Sequence, residues 1–377
     1  MKLNKLYFAI ITTALPLNSM AAGLDRSGQS ISAFLQPGNY AEAGISVLDP
    51  SVSGKDKSPN KNTVNDMAKS YTFAAAAVKV QATDKISFGL LYDQPFGADA
   101  EYKVDGSIFN DGTEGTTVKV RTNNLTALIG YQPTENWNFY AGPVWQTVEA
   151  DISLRGGAYG GPSLLGSYNI QVDQKEAYGW AAGFAYLKPE IALKAAVTYR
   201  SEIKHNATST ETHNLSSAFT TISNIEAVTP QSVNIDLQTG VAKNTLVFAN
   251  LRWVHWDQFV VSPNKLSEFN QDLISYSDDQ YSATIGTSHK FNSKWAATAA
   301  VGYDSGAGNP VTTLGPTEGY WSLGLGGQYS PAENYFIQAG VKYFWLGDAT
   351  ARTGTSDVGE FTNNHAIGYG MKIGYRF

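Results

Sequence analysis

Along most of its length the chain alternates apolar residues with small or charged ones, with a period of two. The final segment is clearest: Ile367, Tyr369, Met371, Ile373, Tyr375 and Phe377 interleave with Ala366, Gly368, Gly370, Lys372, Gly374 and Arg376. Residues 335–345, 295–303 and 191–199 repeat the pattern. A period of two belongs to a strand whose faces meet different surroundings. A soluble antiparallel sheet alternates as well. Here, however, the apolar faces carry aromatics at both ends, as the interface girdles of a membrane barrel require. The opposite faces carry Gly, Ala, Thr and Lys, which suit a crowded or wet lumen.

Fourteen segments carry the signal: 40–53, 70–82, 85–103, 116–132, 135–155, 173–188, 190–206, 229–242, 244–260, 276–291, 294–304, 317–330, 333–350 and 363–377. Short turns at 82–84, 133–135, 188–190, 242–244, 292–294 and 330–333 alternate with long polar stretches such as 54–69, 156–172 and 207–229. That asymmetry is expected of short periplasmic turns and long outer loops. A crossing takes about 9–11 residues, so strands this long project beyond the bilayer. The reading is an all-β fold, a 14-stranded antiparallel transmembrane β-barrel with a short N-terminal hatch segment. Closure removes every strand edge, which hydrocarbon demands.

Composition excludes several rivals. Cys is absent, which removes disulfide scaffolds and thiol catalysis, and the net charge of -6 offers no basic footprint for nucleic acid. Gly is abundant at 36 of 377 residues and charged residues are only 16%, against a helical bundle. His205, His213, His255, His289 and His365 are scattered, no pair has helical metal-site spacing, and no G-x-S-x-G nucleophile motif occurs. The expectation is therefore no enzyme, no metal and no cofactor. Lys2 and Lys5, an apolar run over 6–15 and small residues at Ser19 and Ala21 make residues 1–21 a signal peptide. Residues 22–39 are then an N-terminal hatch or plug, and residues 40–377 the barrel.

Two places stand out against the pattern. Within 22–39, Phe34 and Leu35 form an apolar cluster in a Ser/Gly-rich stretch, which fits either a small plug docked in the lumen or a loose tail. In the third segment Pro95, Phe96 and Gly97 interrupt the alternation. Proline cannot donate to the ladder and glycine tolerates a bulge, so this stretch opens a lateral gap in the wall or marks the end of the strand. Pro143 is a second irregularity.

The order of segments resembles the FadL/TodX family of outer-membrane transporters for hydrophobic compounds over essentially the whole mature chain. The resemblance rests on the Ala22-Gly23 start, on residues 199–204 (Tyr-Arg-Ser-Glu-Ile-Lys), on 256–259 (Trp-Asp-Gln-Phe), on 302–305 (Gly-Tyr-Asp-Ser) and on the aromatic C-terminus. The hatch is shorter here and lacks an Asn-Pro-Ala motif. The resemblance implies fourteen strands, a hatch, a kinked third strand and cargo such as long-chain fatty acids or aromatic hydrocarbons. For a fatty acid it implies a cation at the carboxylate, with Arg155 and, more loosely, Lys265 as the matching positions. Arg200 and Glu202 have lumen-facing parity and are expected to pair with each other or with neighbours. Partners would be the hydrophobic cargo and the lipid and lipopolysaccharide of a bacterial outer membrane. A non-specific diffusion porin and a loop-borne adhesin or structural protein are the rival readings.

Overall fold

In a computed structural model of the chain, residues 24–161, 165–213, 216–257, 259–268 and 272–377 are described. The expected leader over 1–21 lies outside the described residues. Fourteen antiparallel strands follow one another around a closed barrel: β1 (Tyr40–Ser51), β2 (Tyr71–Gln81), β3 in two pieces (Ile86–Asp93 and Gly97–Glu101), β4 (Thr117–Tyr131), β5 (Trp137–Arg155), β6 (Ser167–Lys188), β7 in two pieces (Leu193–Arg200 and Ile203–His213), β8 in two pieces (Ser216–Thr229 and Ser232–Ala242), β9 (Thr245–Val254), β10 (Gln280–Lys290), β11 (Trp295–Asp304), β12 (Tyr320–Ala332), β13 (Tyr335–Leu346) and β14 (His365–Arg376). Strands β1 and β14 close the wall, from Tyr40 opposite Arg376 to Ser51 opposite His365. This closure leaves no terminal edge strand to hydrocarbon.

The alternation sorts residues as the sequence requires. On β14, Ile367, Tyr369, Met371, Ile373 and Tyr375 are 41–51% exposed on the outer face, while Ala366 and Lys372 are buried on the inner one. Tyr281, Tyr303, Trp321 and Trp345 form an exposed outer belt, and Trp137, Trp295, Tyr335, Tyr375 and Phe377 form the periplasmic belt. Aromatic rings belong at these levels because they are apolar in body and tolerate the wet headgroup layer.

The six short turns fall at the expected end of the barrel. At the other end the connections build structure of their own. Gly54–Asp56, Thr63–Val64, Val311–Thr312, Ala349–Thr353 and Ser356–Phe361 associate into a five-stranded sheet. Two expected loops are corrected. Residues 207–213 and 216–229 are not a loop but the outer part of the β7–β8 hairpin, with Ile203 opposite Thr229 and Thr210 opposite Ile222. The stretch 167–172, assigned to a loop, is the start of β6 and pairs with β5. Above the bilayer both strand faces can be polar, so the apolar half of the alternation vanishes while Thr-rich sequence still favours extended backbone.

Pro143 lies inside β5. The β4–β5 ladder is interrupted between Thr126 opposite Val144 and Ile129 opposite Ala141 with no change of register, leaving Gly142 and Pro143 unpaired on that side. Pro143 has no N–H to give. A Cβ on Gly142 would meet the Ala127 carbonyl oxygen at 1.8 Å, so glycine permits the close approach beside the break.

Candidate functional site in the barrel lumen

Residues 24–39 run inside the barrel, held by inward-facing polar side chains from widely separated strands. The Asp25 carboxylate accepts a 2.7 Å hydrogen bond from Nε of Arg252 on β9. Arg252 also donates to Oε1 of Gln29 at 3.1 Å and to Oδ1 of Asn234 at 2.7 Å. Nδ2 of Asn234 in turn donates to the Gly28 carbonyl at 2.7 Å. Arg200 on β7 donates to the Gln29 carbonyl at 3.2 Å and to Thr126 on β4 at 3.0 Å. It does not pair with Glu202, which lies 3.8 Å from Lys204. Burying these charges is tolerable only because each finds partners.

The apolar part of the segment seats lower in the barrel. Phe34 is fully buried, with its ring edge-on to Tyr140 at 5.5 Å. It occupies the space left by two glycines. A Cβ on Gly89 would lie 2.3 Å from Phe34 Cδ2, and one on Gly130 2.8 Å from its Cζ. Leu35 is buried in the same cluster, with Leu91, Leu128 and Val144 from the wall. Below it, Nζ of Lys79 donates to the Gln36 carbonyl at 2.8 Å.

Strand β3 breaks where Pro95 stands. The β2–β3 ladder covers Ala76–Gln81 and Ser87–Tyr92, and contact resumes only at the bridge between Ala68 and Ala100. Between them Gly97 and its followers pair with β4 alone among the described strands. The missing partner comes from inside. Arg26 N–H donates to the Pro95 carbonyl at 2.6 Å, and Gly97 N–H donates to the Leu24 carbonyl at 2.8 Å. Nε of Arg26 donates to the Gly97 carbonyl at 2.8 Å, and its guanidinium lies 3.5 Å over the Tyr71 ring of β2. A Cβ on Gly97 would sit 2.9 Å from Arg26 Cζ. Phe96 points into the lumen, edge-on to Trp256 at 5.6 Å, so its ring does not face lipid.

Above this level an aromatic cluster lies in the lumen among buried polar side chains such as Gln280 and Asp304. Trp256, Phe259 and Tyr276 pack edge-on or tilted against one another, with Trp256 5.2 Å from Phe259 and 5.0 Å from Tyr276. The Trp256 indole N–H is satisfied by Oε1 of Gln280 at 2.7 Å. The same buried cluster includes Leu266 and Leu273, which also line a pocket of about 160 Å3 with Leu154, Tyr159, Val311 and Leu314. Arg352 and Asp272 are the charged residues of that pocket.

Both cations expected at a head group are engaged by the protein. Arg155 is 4% exposed and donates to Glu114 (3.0 Å), the carbonyls of Leu154 (2.9 Å) and Tyr168 (3.0 Å), and Oδ1 of Asn169 (2.7 Å). Lys265 pairs with Glu268 at 2.8 Å. The two sites are connected. The Tyr168 hydroxyl and the Lys265 backbone N–H both donate to Oε2 of the buried Glu211, at 2.9 Å each. Burial and the adjacent Glu211 charge push the Tyr168 phenol well up, which keeps it a donor.

Asp25, Arg26 and Gln29 carry no local sequence signal of these contacts. Arg252 was open to suspicion: a cation at inward parity on a membrane strand needs a partner.

A closed fourteen-strand wall with an apolar outer band, aromatic belts and an occupied lumen defines an outer-membrane transport barrel. The family model described as outer membrane protein transport protein (OMPP1/FadL/TodX) matches residues 26–377, and the chain belongs to that family of channels for hydrophobic compounds. It is similar to the crystal structure of a Pseudomonas aeruginosa FadL homologue at TM-score 0.73 and 14% identity, covering 92% of each chain. It is also similar to the Pseudomonas putida toluene transporter TodX, at TM-score 0.62 and 16% identity over 92% of this chain and 91% of that one. The Ralstonia pickettii toluene transporter TbuX matches at TM-score 0.63 and 13% identity over 96% of this chain and 97% of that one. No curated protein matches the chain.

Proposed function

We propose that this barrel takes up hydrophobic small molecules across the outer membrane, capturing them in the outer pocket and releasing them sideways between β2 and β3. The observation that carries the reading is the break in the wall at Pro95, Phe96 and Gly97, where the backbone partner is Leu24–Arg26 rather than β2. Because that partner belongs to residues 24–39, these residues act as the hatch. Moving Leu24–Arg26 frees the gap, while Phe34 and Leu35 keep the lower lumen shut. A diffusion porin needs a continuous aqueous path, and Phe34 and the Trp256 cluster stand across it.

The pocket bears on cargo size. A cavity of about 150 Å3 holds one benzene ring, so a pocket of 160 Å3, with Leu154, Leu266 and Leu314 among its walls and Thr312, Thr313, Thr353 and Thr355 beside them, has room for a single ring or a short acyl segment. The toluene transporters among its structural neighbours accord with the first. A long-chain fatty acid is the second reading. Arg352 offers its carboxylate a cation, and the chain would extend from the pocket toward Trp256 and Phe96.

The test joins the hatch to the wall covalently. The chain has no cysteine, so Ser27→Cys with Asp93→Cys, whose native side chains are hydrogen-bonded, creates one clean pair. Oxidation is expected to abolish uptake of a monoaromatic probe into proteoliposomes, and reductant to restore it. Undiminished uptake by the oxidised, verified disulfide rejects the exit route.

A further inference from the structure

Outside the transport path, three side chains converge at the outer rim. His255 follows β9, Asp257 lies two residues on, and Asp279 precedes β10. Nδ1 of His255 is 2.9 Å from Oδ1 of Asp279 and 3.2 Å from Oδ1 of Asp257. One ligand atom from each of the three falls within 4.8 Å of the others. The second oxygen of Asp279 is fixed by the indole N–H of Trp253 at 2.7 Å. Such an outer hydrogen bond is what orients a ligating carboxylate.

The arrangement is poorly served by hydrogen bonding alone. Nδ1 carries at most one hydrogen and faces two carboxylate oxygens. A cation satisfies both at once. Two ligand atoms about 2.0–2.2 Å from a tetrahedral centre lie roughly 3.3 Å apart, within a few tenths of an ångström of the two separations found here. Asp257 and Asp279 also line a cavity of about 470 Å3, which leaves room for further ligands. Across that cavity, Oε2 of Glu318 is buried without a hydrogen-bond partner among the described residues.

We propose that His255, Asp257 and Asp279 bind one divalent cation of the zinc class, with an open coordination position toward this cavity. The imidazole nitrogen sets the class, because calcium and magnesium prefer all-oxygen sets. The ligands stand at both ends of the connection between β9 and β10. The cation therefore clips the base of the segment that carries Trp256 and Leu266 over the lumen.

The experiment uses the detergent-solubilised full barrel, stripped with chelator and titrated with Zn2+ by calorimetry. One Zn2+ per chain is expected, with His255→Ala and Asp279→Asn each weakening binding at least tenfold while heat-modifiable migration shows the barrel intact. Should either fail to assemble, Asp257→Asn at the most exposed ligand decides, together with a Co2+ absorption spectrum of the wild type. Absence of saturable Zn2+ binding, unchanged affinity in an assembled variant, or displacement of Zn2+ by an equal concentration of Ca2+ overturns the proposal.

Discussion

Asp25 and Arg252 form an ion pair at 2.7 Å with side chains 0% and 1% exposed, joining the start of the lumenal segment to the far wall of the barrel. Removing one partner of such a pair leaves an uncompensated buried charge, at about 3–5 kcal/mol. Asp25→Ala is therefore expected to unseat residues 24–39 while the barrel, closed by its own ladder, stays assembled. Limited proteolysis should then cut the N-terminal segment of an otherwise heat-modifiable barrel. Protection equal to wild type would show that the other anchors of the segment hold it without the ion pair.

The Phe34 seat gives a second, independent test. Phe34→Ala is expected to cost about 3–5 kcal/mol through the cavity it leaves. Gly89→Ala pushes a Cβ to 2.3 Å from Phe34 Cδ2 and should cost about 1–3 kcal/mol by overpacking. Combined, the two should cost less than their sum, because the smaller side chain at 34 relieves the clash. Denaturant unfolding of the four proteins measures the coupling, and strict additivity would place the ring elsewhere.

How much of this was readable from sequence follows from which signals are local. The β14 alternation fixes lipid and lumen faces by itself, because the bilayer imposes one rule on every strand. The β7–β8 hairpin beyond Ile203 left no such mark, since there the outer face meets water and the inner face buries His205, Ser209 and Glu211 alongside Ala207 and Ile225. Pro95 and Gly97 stand out as an interruption, but nothing local shows that Phe96 packs on Trp256. Asp25 and Arg252 are 227 residues apart, and no periodicity links them. His255, Asp257 and Asp279 escaped for a related reason: their convergence depends on β9 and β10 being neighbours, whereas the spacing sought was that of a helix.

Arg155 and Arg352 separate two roles for a cation. Arg155 holds four protein acceptors across β5, β6 and the loop carrying Glu114. Arg155→Ala should therefore reduce binding of charged and uncharged cargo alike, through loss of local order. Arg352 lines the pocket and shares its Nε with Asp357 at 2.7 Å. Arg352→Ala should weaken a fatty acid by about 1.5–3 kcal/mol, the worth of a charge-assisted hydrogen bond, and leave toluene unaffected. Equilibrium binding of both ligands to both variants reads the distinction. A fatty-acid-specific loss in Arg155→Ala would restore Arg155 to the head group.

Glu318, in the outer loop between β11 and β12, sets a pH dependence. Burial pushes its carboxyl up to about 7, the Asp278 charge adds to the rise, and the Gly308 N–H opposes it. A folded-state value above the unfolded one means that the native protein binds the extra proton between the usual glutamate range and pH 7. Stability thus falls as pH rises through that window and is flat above it. Because Glu318 is only half-buried, solvent screening keeps the effect small. Glu318→Gln, which stays neutral, should raise the unfolding midpoint at pH 8 and leave it nearly unchanged at pH 4. Thermal scans of both proteins across that range check the sign, and a midpoint lowered at pH 8 with none lost at pH 4 would mean that the native loop prefers the charged carboxylate.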